Sequence, residues 1–101
     1  MSTLHTVNKS PFTDNCLHSC LLLCTNEDAL LLIEDGVYGG TSQSPCAEDI
    51  RAKIQLGVSV YALKQDTLAR GELQVLEGIT LIDDKDFVRL SCEHQCIQSW
   101  Y

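Results

Sequence analysis

Six cysteines and three histidines supply the nucleophilic and metal-ligating side chains of this chain. Cys16, Cys20 and Cys24 recur every four residues, as do Cys92 and Cys96. On a helix that spacing puts thiols on one face but aims them side by side, a poor geometry for a disulfide. No Cys-x-x-Cys pair occurs, so thioredoxin-type redox chemistry and the usual zinc knuckles lack their motif. A metal site built from the first and last helices, with His18 or His94 as a further ligand, is the alternative use of these thiols. Structural zinc sites show tighter pairing than this, and neither a metal nor another cofactor is expected. Cys16, Cys24 and Cys92 then read as small buried hydrophobes.

Cys46 and Cys20 are weighed separately. Cys46 follows Ser44-Pro45, a helix start with Ser at the cap and Pro at the first helical position. Backbone N–H groups and the helix dipole there stabilise a thiolate, which makes Cys46 the nucleophile that local physics favours. The adjacent Glu48 and Asp49 work against it. Cys20 lies in the middle of a helix, and nothing near it in sequence lowers its pKa; on local grounds it is core. His5, inside the first strand, reads as a structurally satisfied residue. No strained turn marks a Cys/His hydrolase pair. Gly36, Gly39 and Gly40 form neither a dinucleotide fingerprint nor a P-loop, and Glu34-Asp35 would repel phosphate.

The elements that must position these residues are organised around Asp28–Gly36. Five apolar residues from Ala29 to Ile33, stopped by Glu34-Asp35-Gly36, suit a strand buried on both faces. Its carboxyl end should open into Val37–Thr41, where parallel sheets usually place the working crevice. Leu4–Val7 is a first strand ended before Pro11. Thr13-Asp14-Asn15 caps a helix carrying Cys16, Cys20 and Cys24 on one face. A second helix runs from Ser44 to about Gly57, and Val58–Leu63 is the third strand. Asp66 caps a short helical turn that Gly71 ends. Ile79–Ile82 is a fourth strand. Asp83-Asp84 starts a last helix with Phe87, Val88, Ser91 and Cys92 along its inner side, and Ile97–Tyr101 forms a short aromatic tail. Strands alternating with helices predict an α/β fold, a small parallel sheet of about four to five strands with helices on both faces, flavodoxin-like in outline.

Bulk properties narrow the function. A chain of 101 residues is one domain, 1–101, and a domain of that size is often helped by association. A net charge of −7, with seven scattered basic residues, argues against direct nucleic-acid binding. No stretch approaches the roughly 20 apolar residues of a membrane span. The N-terminus lacks a charged region followed by an apolar one, so no signal peptide is expected, the location is cytoplasmic and the thiols are reduced.

Several blocks also resemble the DsrH/TusB family, in order and over nearly the whole chain. Leu4–Phe12 is similar to the family's opening, and Leu31–Tyr38 to its central strand and loop. Val60–Leu63 followed by Asp66, Leu68, Ala69, Arg70 and Gly71 resembles its third strand and short helix. Asp86–Leu90 and the closing Gln98-Ser99-Trp100 follow the same pattern. The resemblance implies a DsrE-like fold and a cytoplasmic heterohexamer with two homologous sister subunits, TusC/TusD-like or DsrF/DsrE-like, that relays persulfide sulfur. In the TusBCD branch the sulfur moves through downstream carriers toward the 2-thiouridine of the tRNA wobble position. In the DsrEFH branch it serves dissimilatory sulfur oxidation. The main sulfur-accepting cysteine is then expected on a sister subunit, making this chain an accessory one. DsrH-like members carry a cysteine in the first helix, and Cys20 falls at that place as an auxiliary persulfide carrier. Cys46 is outside the family pattern, although sister subunits place their thiol at a similar helix start; it stands as the weaker alternative.

Overall fold

A computed structural model describes residues 2–101. Five parallel strands form one sheet in the order β4-β3-β2-β1-β5. They are β1 (Thr3–Val7), β2 (Ala29–Leu32), β3 (Ser59–Leu63), β4 (Ile79–Ile82) and β5 (Cys96–Trp100). The helices are α1 (Cys16–Leu23), α2 (Ala47–Gln55), α3 (Lys64–Ala69) and α4 (Asp84–Glu93), with a 3-10 helix over Glu34–Gly40. The α/β sheet covered by helices is thus as the sequence predicts.

β2 sits in the middle because it is apolar on both faces and hydrogen-bonded on both edges, to β1 and to β3. Every residue of β2 is buried. Leu30 and Leu32 pack with Val7, Val60 and Ala62 under Leu17 and Leu21 of α1 and Ile50 of α2. Ala29 and Leu31 pack on the opposite face with Leu4, Leu63 and Ile82 under Leu90 of α4. The alternation of side chains along each strand divides the core in this way.

Five details depart from the sequence reading. The tail is a fifth strand: Cys96–Trp100 pairs in parallel with β1, Thr3 opposite Cys96 and Val7 opposite Trp100. It is an edge strand whose almost wholly exposed side chains leave no burial pattern in the sequence. α2 begins at Ala47, not at Pro45, because Ser44 closes a turn first. Its Oγ accepts the Cys46 N–H at 3.0 Å and its carbonyl the Ala47 N–H at 3.1 Å, which leaves Cys46 at the N-cap. Asp66 lies inside the first turn of α3 and its carboxylate accepts the Glu34 N–H at 2.7 Å, tying α3 to the 3-10 helix. On α4 the inward side chains are Phe87 and Leu90, while Val88 and Cys92 face solvent. A capping box between Asp83 and Asp86 sets where α4 starts and so fixes that phase. Finally, the carboxyl end of β2 is not an open crevice. The 3-10 helix fills it with buried Val37 and with Gly36, Gly39 and Gly40, leaving only Glu34 and Asp35 fully outside.

The open space lies one strand over. The chain steps from β1 to β4 in one direction and then returns to lay β5 on the other side of β1, so the direction reverses between β1 and β5. Crevices in open parallel sheets form at such reversals. Here Pro11–Cys16, Ser19 and Trp100 line an open crevice of about 620 Å³.

Candidate functional site

β1 and β5 bring His5 and Trp100 together from opposite ends of the chain. The Trp100 Nε1–H donates to His5 Nδ1 at 3.1 Å. An indole nitrogen only donates, so His5 must accept there and carry its own hydrogen on Nε2. That nitrogen faces Asp28 Oδ2 at 3.3 Å. Asp28 also accepts the backbone N–H groups of Thr3 and Thr25, each at 3.0 Å. One buried carboxylate therefore joins the start of β1, the α1–β2 loop and the imidazole. Burial alone would raise its pKa, but the bonds from Thr25, His5 and Thr3 outweigh that and hold it below the usual carboxylate value. Replacing Trp100 with Phe should leave His5 Nδ1 unpaired in the sheet and cost about 1–2 kcal/mol. Urea unfolding followed by circular dichroism measures it.

Two thiols lie against this network. The sulfurs of Cys20 and Cys24 are 3.8 Å apart, and both residues are buried. Cys20 is on α1 and Cys24 is its C-cap, where the chain has already turned to extended backbone. The Lys53 ammonium of α2 donates to the Cys24 carbonyl at 2.9 Å. Donating its S–H to Cys24, together with burial, pushes the Cys20 thiol far up. Accepting that bond lowers Cys24, against burial and the Asp28 charge, with Lys53 helping. A thiolate on either sulfur has the other's S–H to donate to it, and the Lys53 ammonium lies on the Cys24 side.

A His5 ring nitrogen and the Cys20 and Cys24 sulfurs all lie within 4.8 Å of one another, close enough to share a metal ion. His5 would have to give up Trp100 or Asp28 to lend a lone pair. The metal site weighed in the sequence, joining first and last helices through His18 or His94, is not formed: α1 and α4 cover opposite faces of the sheet.

The other thiols are scattered. Cys46 shares the core between α1, α2 and the sheet with Cys20. Burial, then the charge of Asp49, raises its pKa, and its N–H is held by Ser44. The thiolate stabilisation expected from the helix start is outweighed: Cys46 is the N-cap, buried, and its pKa is raised. Cys16 is half-buried at the edge of the β1/β5 crevice. Its N–H bonds to Asp14 at 2.7 Å, and the same carboxylate, followed by desolvation, raises its thiol. Cys92 and Cys96 are exposed. Of the thiols read as buried, Cys20 and Cys24 are so, while Cys16 is half-buried and Cys92 exposed.

Sequence patterning gives Asp28 and Lys53 no chemical role and Trp100 only a place in the aromatic tail. Asp28 had one local signal, an acid three residues after Thr25 and just ahead of a buried strand, where a side-chain turn is common. His5 and Trp100 are 95 positions apart, and no periodicity connects them.

Comparison with known proteins agrees with this architecture. The family model for DsrH like protein matches residues 9–97. Protein TusB of Escherichia coli K12 is 37% identical over 98 residues, covering 96% of this chain and 99% of that protein. TusB of Shigella flexneri shows the same identity and coverage. Among solved structures, the ychN protein from E. coli superposes with a TM-score of 0.83 at 18% identity, covering 99% of this chain and 100% of that one. A protein of unknown function from Methanobacterium thermoautotrophicum gives 0.77 at 14% identity, with 97% of each chain covered. At such identities the structural likeness speaks for the fold alone. The family match and the TusB identity together cover nearly all of the sequence: this chain belongs to the DsrH family.

Proposed function

We propose that this chain is a cytoplasmic subunit of a TusBCD-type sulfur-relay heterohexamer, working with two homologous sister subunits toward 2-thiolation of the tRNA wobble uridine. Residues 1–101 act in it as a single DsrH/TusB-like domain. The observation that carries the reading is the 37% identity to Protein TusB over 96% of the chain. The surface supports an assembled role. Leu22, Leu56, Val88 and Ile97 are each more than half exposed, and Leu22 and Leu56 flank a groove between α1 and α2 with His18, Asp49 and Ala52. Tyr38 and Trp100 are half-buried within the chain itself.

Sulfur carriage by this subunit rests on Cys20. It lies in the first helix, and its sulfur has a second thiol in contact. Cys46 stays second, since burial and Asp49 hold it protonated. A cysteine in that helix also keeps a DsrH role in sulfur oxidation as the rival pathway. The main sulfur-accepting thiol is assigned to a sister subunit. When this chain is tagged and co-expressed with its chromosomal neighbours, two homologous small subunits should co-purify with it in equal amounts. Recovery of the tagged chain by itself would contradict the assembly.

A further inference from the structure

We propose that Cys24 is the thiol of this chain that first accepts a sulfane sulfur, and that the sulfur is then exchanged with Cys20 across their 3.8 Å contact. The proposal rests on the sulfur-relay reading above and deepens it, because that reading looks only to Cys20.

The geometry separates the two sulfurs. Cys20 is wholly enclosed by the core, whereas Cys24 ends α1 and is followed by exposed Thr25, Asn26 and Glu27. An incoming donor reaches Cys24 by loosening one helix end rather than the helix itself. The charges around the pair favour the same residue. Lys53 reaches over from α2 to bond the Cys24 carbonyl, and its ammonium offsets the negative end of the α1 dipole. Asp28 opposes a second charge nearby, but three donors already hold its carboxylate. The Cys20 S–H supplies the hydrogen bond that a Cys24 thiolate needs. Thiolates, not thiols, attack sulfur.

The chemistry closes without an outside oxidant. The Cys24 thiolate attacks the terminal sulfur of a donor persulfide R–S–SH. The S–S bond of the donor breaks, R–S⁻ leaves, and Cys24–S–SH forms. Cys20 then attacks the outer sulfur of the protonated Cys24–S–SH while its own proton passes across the contact to the inner Cys24 sulfur. The Cys24 S–S bond breaks, Cys24 departs as a thiol, and Cys20–S–SH forms. Sulfur and charge are conserved in each step. No Cys20–Cys24 disulfide is needed, so the parallel aim of thiols one helical turn apart does not hinder it. Both sulfurs are buried, which keeps the carried sulfur away from solvent thiols.

The test uses the full-length chain, inorganic polysulfide as donor, alkylation to trap persulfides, and fragment-ion mass spectrometry to place them. The wild type should gain one sulfur on the Cys20/Cys24 pair, and Cys20→Ser should still load at Cys24. Cys24→Ser, with Cys24→Ala as a second variant, should slow loading of Cys20 by about tenfold or more, since the donor must then reach a sulfur that the core encloses. Competitive alkylation of the unmutated chain gives a readout that needs no variant to fold, and Cys24 should react ahead of Cys20. Undiminished loading of Cys20 in both Cys24 variants, or Cys20 alkylating first, overturns the order proposed here alone. No sulfur on either residue of the wild type overturns sulfur carriage by this chain as well.

Discussion

Gly36→Ala should destabilise the protein by on the order of 3 kcal/mol or more, a large share of the roughly 5–15 kcal/mol that holds a domain together. The reason is space, not backbone freedom. A Cβ built on Gly36 overlaps the Val7 carbonyl oxygen and lies 2.8 Å from the Val7 carbonyl carbon, with the Asn8 Cα at 3.4 Å. All three are backbone atoms, so no side-chain rotation relieves the clash. The Val7 carbonyl also accepts the Ile33 N–H at 3.0 Å, and the Gly36 N–H in turn bonds the Ile33 carbonyl at 2.8 Å. Moving either segment opens the joint between the ends of β1 and β2, two of the three interior strands. Thermal unfolding by circular dichroism should show a drop in Tm of ten degrees or more, about what that loss implies for a domain of this length. A drop corresponding to less than about 1 kcal/mol would mean the joint is soft.

Asp28→Ala is expected to cost about 3–5 kcal/mol, because it orphans two backbone N–H groups and the His5 Nε2–H in a buried site. Its pH signature separates it from a simple packing loss. The folded state holds the Asp28 carboxyl below the usual carboxylate range. A group with a depressed folded pKa stabilises fully above its unfolded pKa, and the stabilisation fades as pH falls through the folded value. The acid side of the stability profile below about pH 4 should therefore carry a slope that Asp28→Asn flattens. Asp14 and Asp83, whose carboxyls are held down by bonds to Cys16 and to Asp86, have the same sign. The slope is reduced and not abolished. Urea unfolding of both proteins at a series of pH values measures it; parallel profiles would remove Asp28 as a source.

Much of the frame was readable because burial and periodicity coincide. Five apolar residues closed by Glu34-Asp35-Gly36 suit a strand between other strands better than a helix, and β2 is there. β5 was hidden by the opposite circumstance. Its side chains are mostly exposed, its single partner is β1, and what holds it is main-chain pairing plus Trp100 on His5. The start of α2 was misplaced because a Ser hydroxyl two residues before a free N–H serves a turn as well as a cap. At the site, the four-residue spacing of Cys20 and Cys24 was visible and their sulfur contact follows from it. The residues that set the chemistry of the pair were not visible. Lys53 comes from another helix, and His5, Asp28 and Trp100 from three separated segments. Only the sheet order brings them together.

Wobble-uridine thiolation in cells lacking this chain tests the sulfur-relay assignment most directly. In the native organism with the gene deleted, mass spectrometry of tRNA nucleosides should show 2-thiouridine derivatives reduced to a small residue, with the wild-type gene restoring them. Unchanged 2-thiouridine in the deletion strain would contradict the assignment.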